Sequence, residues 1–248
     1  MQIEEYEALE KVEREHWFYK GKRVLVEYWI ERAAKLASAN TIVDCGAGTG
    51  ELVRELKKRY EPNGISVIGI EYVEEARRLA KKRKGIELLE GSILDLPLKD
   101  GSSSVTIALD VLEHVEDDKL AFSELLRVTK QEGIIIINVP AFMSLWSDWD
   151  VSLGHFRRYS KSSLQAILVP YEKEFQMLHF EYENAFAFLP IFFLRKISRL
   201  FNLKSRFEDR IPSSGMNKLL LDIFVGLSKT SWFHPPFGSS LFCVLKKR

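Results

Sequence analysis

From Thr41 onward, short uninterrupted apolar runs alternate with helical stretches: TIVDC, ELVRELKKRY, SVIGIEY, VEEARRLAKKR and IELLEG read as strand, helix, strand, helix, strand. SVTIALD continues the series as a fourth strand, followed by a helix over roughly 117 to 130 and a fifth strand, GIIIINVP, the most β-branched segment of the chain. Strands without polar alternation are covered on both faces, and crossover helices between them make neighbours parallel. Residues 173–183 and the terminal SLFCVLKK read as sixth and seventh strands. The expectation is an α/β doubly wound sheet. Hydrophobic residues at 46% and charged residues at 29% exclude the composition of a disordered chain, and 248 residues suit one elaborated domain.

Residues 4–37 carry helical periodicity through Tyr6, Leu9, Val12, Leu25, Trp29, Ala33 and Leu36, so helices precede the first strand. Between the last two strands lies an insert with two apolar, helical stretches, AFAFLPIFFLRKISRLF and NKLLLDIFVGLSKTSWF, separated by a break at 211–215. The division expected is an N-terminal helical lid over 1–40, a ligand-binding core over 41–183, a helical insert over 184–238 and the final core strand over 239–248. The apolar run in the insert is shorter than the roughly twenty residues a membrane span needs. A cap over the site is the first reading of the insert; a homodimer surface and a peripheral membrane anchor are the others.

A formal charge of +1 creates no global field to recruit nucleic acid. Cys45 and Cys243 match no zinc or redox spacing, so reduced, packed thiols are expected. The acidic, amphipathic start lacks the basic and apolar regions of a signal peptide, which leads to the expectation of a cytoplasmic protein.

Asp44-Cys45-Gly46-Ala47-Gly48-Thr49-Gly50 falls where a strand gives way to a helix, the position of the ligand crevice in an open parallel sheet. Counted from Gly46, the dinucleotide fingerprint G-x-G-x-x-G requires glycine where Glu51 stands, which disfavours NAD. About twenty residues beyond the glycines the second strand ends at Glu71-Tyr72, where a carboxylate can accept both hydroxyls of a ribose. Asp44, Gly46, Ala47, Gly48, Gly50, Glu71 and Tyr72 are the nucleoside-binding candidates.

From Thr41 to Leu168 these blocks resemble the class I S-adenosylmethionine-dependent methyltransferases. The resemblance implies a Rossmann-like seven-stranded sheet whose last strand runs antiparallel, and S-adenosylmethionine as cofactor with S-adenosylhomocysteine as product. EGSILDLPLKDGSSSVTIALDVLEHVEDD looks like the family stretch that meets the adenine: Ser92 stands where Asp is frequent, and the backbone of Ile93 still serves. Asp110 matches the position beside the methionine moiety and the reaction centre. EHWFYKGKR, WSDWDVSLGHFRRYS and PPFGSSL resemble a largely uncharacterised prokaryotic subfamily.

The implied chemistry is in-line displacement of methyl from a sulfonium, which calls for alignment and exclusion of water and for no metal. A hydroxyl or acidic carbon as acceptor would add a general base. His155 is the candidate, in the loop after the fifth strand; His114, at a helix start, reads as structural. Arg157 and Arg158 read equally as a clamp for an anionic acceptor or as partners of Asp148 or Asp150. Trp146, Trp149 and Tyr159 read as walls of an apolar acceptor site or as packing under the loop. Lys22 and Arg23 suit a lid whose cation meets the cofactor's carboxylate, with Arg23 taken as the ligand. A small-molecule or lipid-like acceptor is expected; RNA or protein methylation, and cofactor binding without turnover, are the alternatives. No N-P-P-Y-like block follows the fourth strand, and Asn138-Val139-Pro140 follows the fifth instead.

Overall fold

The computed structural model describes residues 10, 12–33, 39–82, 86–201, 210–230, 232 and 234–248. Tyr6, Leu9 and Leu36 of the N-terminal periodicity lie outside them. Seven strands form one sheet: β1 (Thr41–Cys45), β2 (Ser66–Glu71), β3 (Leu88–Glu90), β4 (Ser103–Leu109), β5 (Thr129–Pro140), β6 (Phe175–Glu183) and β7 (Ser240–Lys247). Their order is β3-β2-β1-β4-β5-β7-β6. Pairing is parallel from β3 through β5, while β7 runs antiparallel to both β5 and β6. This is the Rossmann-like sheet with a reversed last strand. Its winding reverses between β1 and β4, and the carboxyl edge there is where such a sheet places its ligand.

The helices are α1 (Trp17–Ala33), α2 (Glu51–Tyr60), α3 (Glu74–Lys81), α4 (Asp118–Val128), α5 (Asp148–Leu153), α6 (Lys161–Leu168), α7 (Ala185–Leu200) and α8 (Ser214–Ser228). Phe122, Leu125 and Leu164 of α4 and α6 pack in one apolar layer, and Leu25, Ile30, Val53 and Leu56 of α1 and α2 in a second. With a layer on each face, the strands can be apolar throughout. Ser160 caps α6 by accepting from the Ser163 amide, as its place in the sequence predicts.

Three local differences from expectation have physical causes. β5 starts at Thr129, ahead of its apolar run, because a register shift between Ser103 and Val105 lets Thr129 pair with Ser103. The long loop after β5 contains α5, whose start is fixed by a capping box between Ser147 and Asp150. The second stretch of the insert stops being helical at Ser228, short of Thr230 and Trp232.

α8 docks on α1 at Gly21, where an added Cβ would lie 2.0 Å from the Phe224 ring. Asn217 secures that contact, accepting from the Trp17 amide at 2.9 Å and donating to the Glu15 carbonyl at 2.7 Å. Both cysteines are buried and free. No helix among the described residues is long and apolar enough to cross a membrane.

Candidate active site

Gly46, Gly48 and Gly50 all adopt left-handed backbone, with φ of +82°, +53° and +79°. A Cβ at Gly46 would lie 2.5 Å from Val111, whereas at Gly48 it would meet nothing within 4 Å. The turn is therefore closed by packing on one side and open to a cavity on the other. The Glu71 carboxylate joins the ends of β1 and β2, accepting from the Gly48 amide at 2.8 Å and the Val73 amide at 2.9 Å. Two oxygens offer about four lone-pair positions, so acceptor capacity remains for a ligand hydroxyl. Burial raises the pKa of Glu71 while those amides act in the opposite sense. Asp44 lies beneath the turn, where burial, and then the charges of Glu13 and Glu71, push its carboxyl up to about 8. Ser92 and Ile93 line the same cavity beyond β3, and the Ser92 hydroxyl accepts from the Leu94 amide at 3.1 Å. Tyr72 and Ala47 also line it.

Asp110 follows β4 in left-handed backbone, φ +54°, a conformation that costs a non-glycine residue energy and concentrates at functional sites. Asn138 Nδ2 donates to its Oδ1 at 2.7 Å, and the Lys22 ammonium bonds its Oδ2. Lys22 also sits 4.1 Å from the centre of the Phe18 ring. Arg23 lines the cavity too, but its guanidinium bonds Glu55 and the Glu13 carbonyl, at 2.8 and 2.7 Å. The α1 cation that reaches the reaction side is Lys22.

The loop after β5 is organised by Asp150, which is fully buried. It accepts from Arg158 Nε at 2.7 Å, lies 3.0 Å from His155 Nδ1 and stands 3.5 Å from Arg195 Nη1 of α7. Burial works against its ionisation, but His155, Arg158 and Arg195 outweigh it and hold the carboxyl below the usual range. His155, Glu113 and His114 stand together in the cavity wall, with the two imidazole rings edge to face at 4.6 Å. His114 is thus a wall residue as well as a helix-start residue; burial, and then the charge of His155, lower its pKa to about 3. Burial, then Asp110, raises Glu113 well above the carboxylate range.

The acceptor candidates divide. Trp149 and Arg158 line the cavity, whereas Trp146, Arg157 and Tyr159 are not among its lining residues. Arg157 is held by Asp118 at 2.7 Å and by the Glu116 carbonyl, not by Asp148 or Asp150. Tyr159 is 2% exposed, its hydroxyl bonded to the Leu112 carbonyl and to Asp118. Both therefore pin the loop to the start of α4, which removes them from the acceptor wall. Ile191, Leu194 and Arg195 of the insert, whose sequence was read first as a cap, line the same cavity, as does Leu145, which sequence reading did not name. Asn138 had a usable signal, as the only polar residue within the apolar run of β5. Glu113 had none, because its role depends on His155 across the fold.

Gly46, Gly48, Glu71, Asp110, Glu113, His155 and Arg158 border one cavity of about 1020 Å³. That is at the upper end of small-molecule sites, roughly 300–1,000 Å³, and gives room for two ligands side by side. The glycine turn and Glu71 form one end and the loop and α7 the other.

A family model described as "Methyltransferase domain" matches residues 43–137. A probable S-adenosylmethionine-dependent methyltransferase of Mycolicibacterium smegmatis is 26% identical over 162 residues, covering 63% of this chain and 58% of that protein. The chain spans 35% to 58% of the length of the first curated relatives it matches. Among solved structures, a Thermotoga maritima S-adenosylmethionine-dependent methyltransferase, described as a possible histamine N-methyltransferase, superposes with a TM-score of 0.58 at 19% identity, covering 99% of this chain and 96% of that one. Geranyl diphosphate methyltransferase in complex with S-adenosylmethionine gives 0.59 at 13% identity, covering 91% and 85%. At such identities the structural likeness speaks for the fold alone.

Proposed function

We propose that this chain, which contains a class I S-adenosylmethionine-dependent methyltransferase domain, methylates a small-molecule or lipid-like acceptor by in-line displacement. The observation that carries the reading is the single cavity joining the Gly46–Gly50 turn and Glu71 to an apolar half formed by Trp149, Ile191 and Leu194.

The fit to the cofactor rests on the open space over Gly48 and on the lone pairs left on Glu71. Glu71 would accept the ribose hydroxyls, the Gly46–Gly48 backbone would lie against the nucleoside, and Ser92 and Ile93 would border the adenine. When bound, the cofactor supplies an electrophilic methyl carbon on a sulfonium. The chain supplies alignment and dryness. Asp110, held by Lys22 and Asn138, offers a fixed carboxylate in the cavity wall. Ile191 and Leu194 of α7 roof the acceptor half, which supports the cap reading of the insert and favours an acceptor with a substantial apolar part. The geranyl diphosphate enzyme of like fold is a precedent for such an acceptor on this sheet.

The test is a screen of phenolic, lipid and saccharide compounds for production of S-adenosylhomocysteine, preceded by thermal shift with S-adenosylmethionine, S-adenosylhomocysteine and NAD. Stabilisation by the two sulfur ligands is expected. Stabilisation by NAD alone would sink the reading.

A further inference from the structure

Glu113 is wholly buried in the cavity wall, and neither of its carboxylate oxygens accepts a hydrogen bond from another described residue. A buried polar group without a partner is costly and rare in native proteins, so an occupant of the space it faces is called for. That space is bounded by two imidazoles. His155 Nε2 lies 4.0 Å from Glu113 Oε1, and one candidate ligand atom from each of Glu113, His114 and His155 lies within 4.8 Å of the other two. Nitrogen and oxygen ligands about 2.0–2.2 Å from a tetrahedral ion stand roughly 3.4 Å apart, so two such atoms 4.0 Å apart need to close by only about half an ångström to hold one ion.

We propose that Glu113, His114 and His155 bind a divalent first-row transition ion in the acceptor half of the cavity. Two imidazoles and one carboxylate suit zinc or iron(II) and leave coordination positions open. The groups behind the ligands agree. Asp150 receives the Nδ1 proton of His155, which leaves the Nε2 lone pair turned toward Glu113. The Gly154 backbone acts on the His114 ring as a hydrogen-bond partner. Arg158, whose charge acts on Glu113, is paired with Asp150. Trp149 and Leu145 line the same cavity, in which an open position of the ion would take an oxygen or nitrogen of a bound molecule. Ion binding depends on these side chains alone and stands apart from the methyl-transfer reading.

The test uses the untagged full chain, stripped with chelator and then titrated with cobalt(II) while visible absorption is followed, with zinc-dependent thermal shift in parallel. Binding of one equivalent, d–d bands typical of nitrogen and oxygen ligands, and a raised melting temperature are expected. Glu113→Gln and His155→Gln should each weaken uptake at least about tenfold, and Asp150→Asn by about 10–100-fold. His179→Gln, on β6 and outside the cavity lining, should leave uptake unchanged. No bands and no ion-dependent stabilisation of the wild-type chain would overturn the proposal, whatever the variants do. So would uptake that survives both Glu113→Gln and His155→Gln.

Discussion

Glu71 holds two strand ends together with the same oxygens it would offer a ligand. Replacing it by alanine removes the acceptors of the Gly48 and Val73 amides, so the free protein should lose about 1–3 kcal/mol on denaturation. Cofactor affinity should fall by about 1.5–3 kcal/mol through the lost charged hydrogen bonds, read by titration calorimetry with S-adenosylhomocysteine. Unchanged affinity would remove Glu71 from the site. His16 allows a pH argument. Its ring is buried in the cavity wall, its Nδ1 accepts from the Phe18 amide at 3.2 Å, and burial lowers its pKa to about 4 from an ordinary 6.5. Between those values the unfolded chain binds the proton and the folded chain does not, so stability is complete above pH 6.5 and declines as pH falls toward 4. With allowance for partial solvent access, the decline should be about 1.5 kcal/mol. Melts of the wild type and His16→Gln across that range measure it; equal slopes would refute it. The sequence made Glu71 readable because strand-end spacing is local information. His16 drew no such reading, since its burial comes from elements distant in the chain.

At the scale of elements, Asp150 links two segments. The β5–α6 loop is held through Arg158 and His155, and α7 of the insert through Arg195, which also donates to the Leu145 carbonyl. Asp150→Ala would leave buried guanidinium groups without their carboxylate, and a loss of about 3–5 kcal/mol in denaturant unfolding is expected. Arg157→Ala breaks a more exposed pair with Asp118 and should cost about 1 kcal/mol or less. Comparable losses for the two variants would contradict the hub. This contrast marks where sequence reading stopped. Strands, the Ser160 cap and the glycine turn follow from patterns within a few residues. Which arginine of Arg157-Arg158 faces Asp150 follows from α5, a helix that turns Asp150 inward and that no apolar periodicity announces. Tyr159 was similarly ambiguous, because a tyrosine can line a pocket or hydrogen-bond beneath a loop with the same neighbours in sequence.

Across the whole molecule, the insert has one side toward the cavity and another toward solvent. Ile191 and Leu194 border the cavity, while Leu189, Phe193, Ile197 and Leu200 recur at three- and four-residue spacing and are exposed. Such a stripe is costly in water unless something covers it. Lys196 and Arg199 share the helix, Arg195 being turned inward to Asp150, and α7 contains no acidic residue. Apolar and cationic groups on one helix match the interface of an anionic bilayer, where the stripe enters the acyl boundary and the cations meet the headgroups. The chain should therefore float with vesicles containing an anionic phospholipid and be released as salt is raised, because screening weakens only the electrostatic part. Phe193→Glu should reduce binding at least about tenfold, since burying a phenylalanine contributes roughly 1.5–3 kcal/mol, with little change in melting temperature because the residue is already 57% exposed. Absence of flotation would assign the stripe to another surface, and a concentration-dependent dimer removed by Phe193→Glu would identify that surface as a second copy of the chain. Were the bilayer the partner, a lipid-like acceptor would have a direct route: α7 would rest on the membrane with one side and border the acceptor cavity with the other.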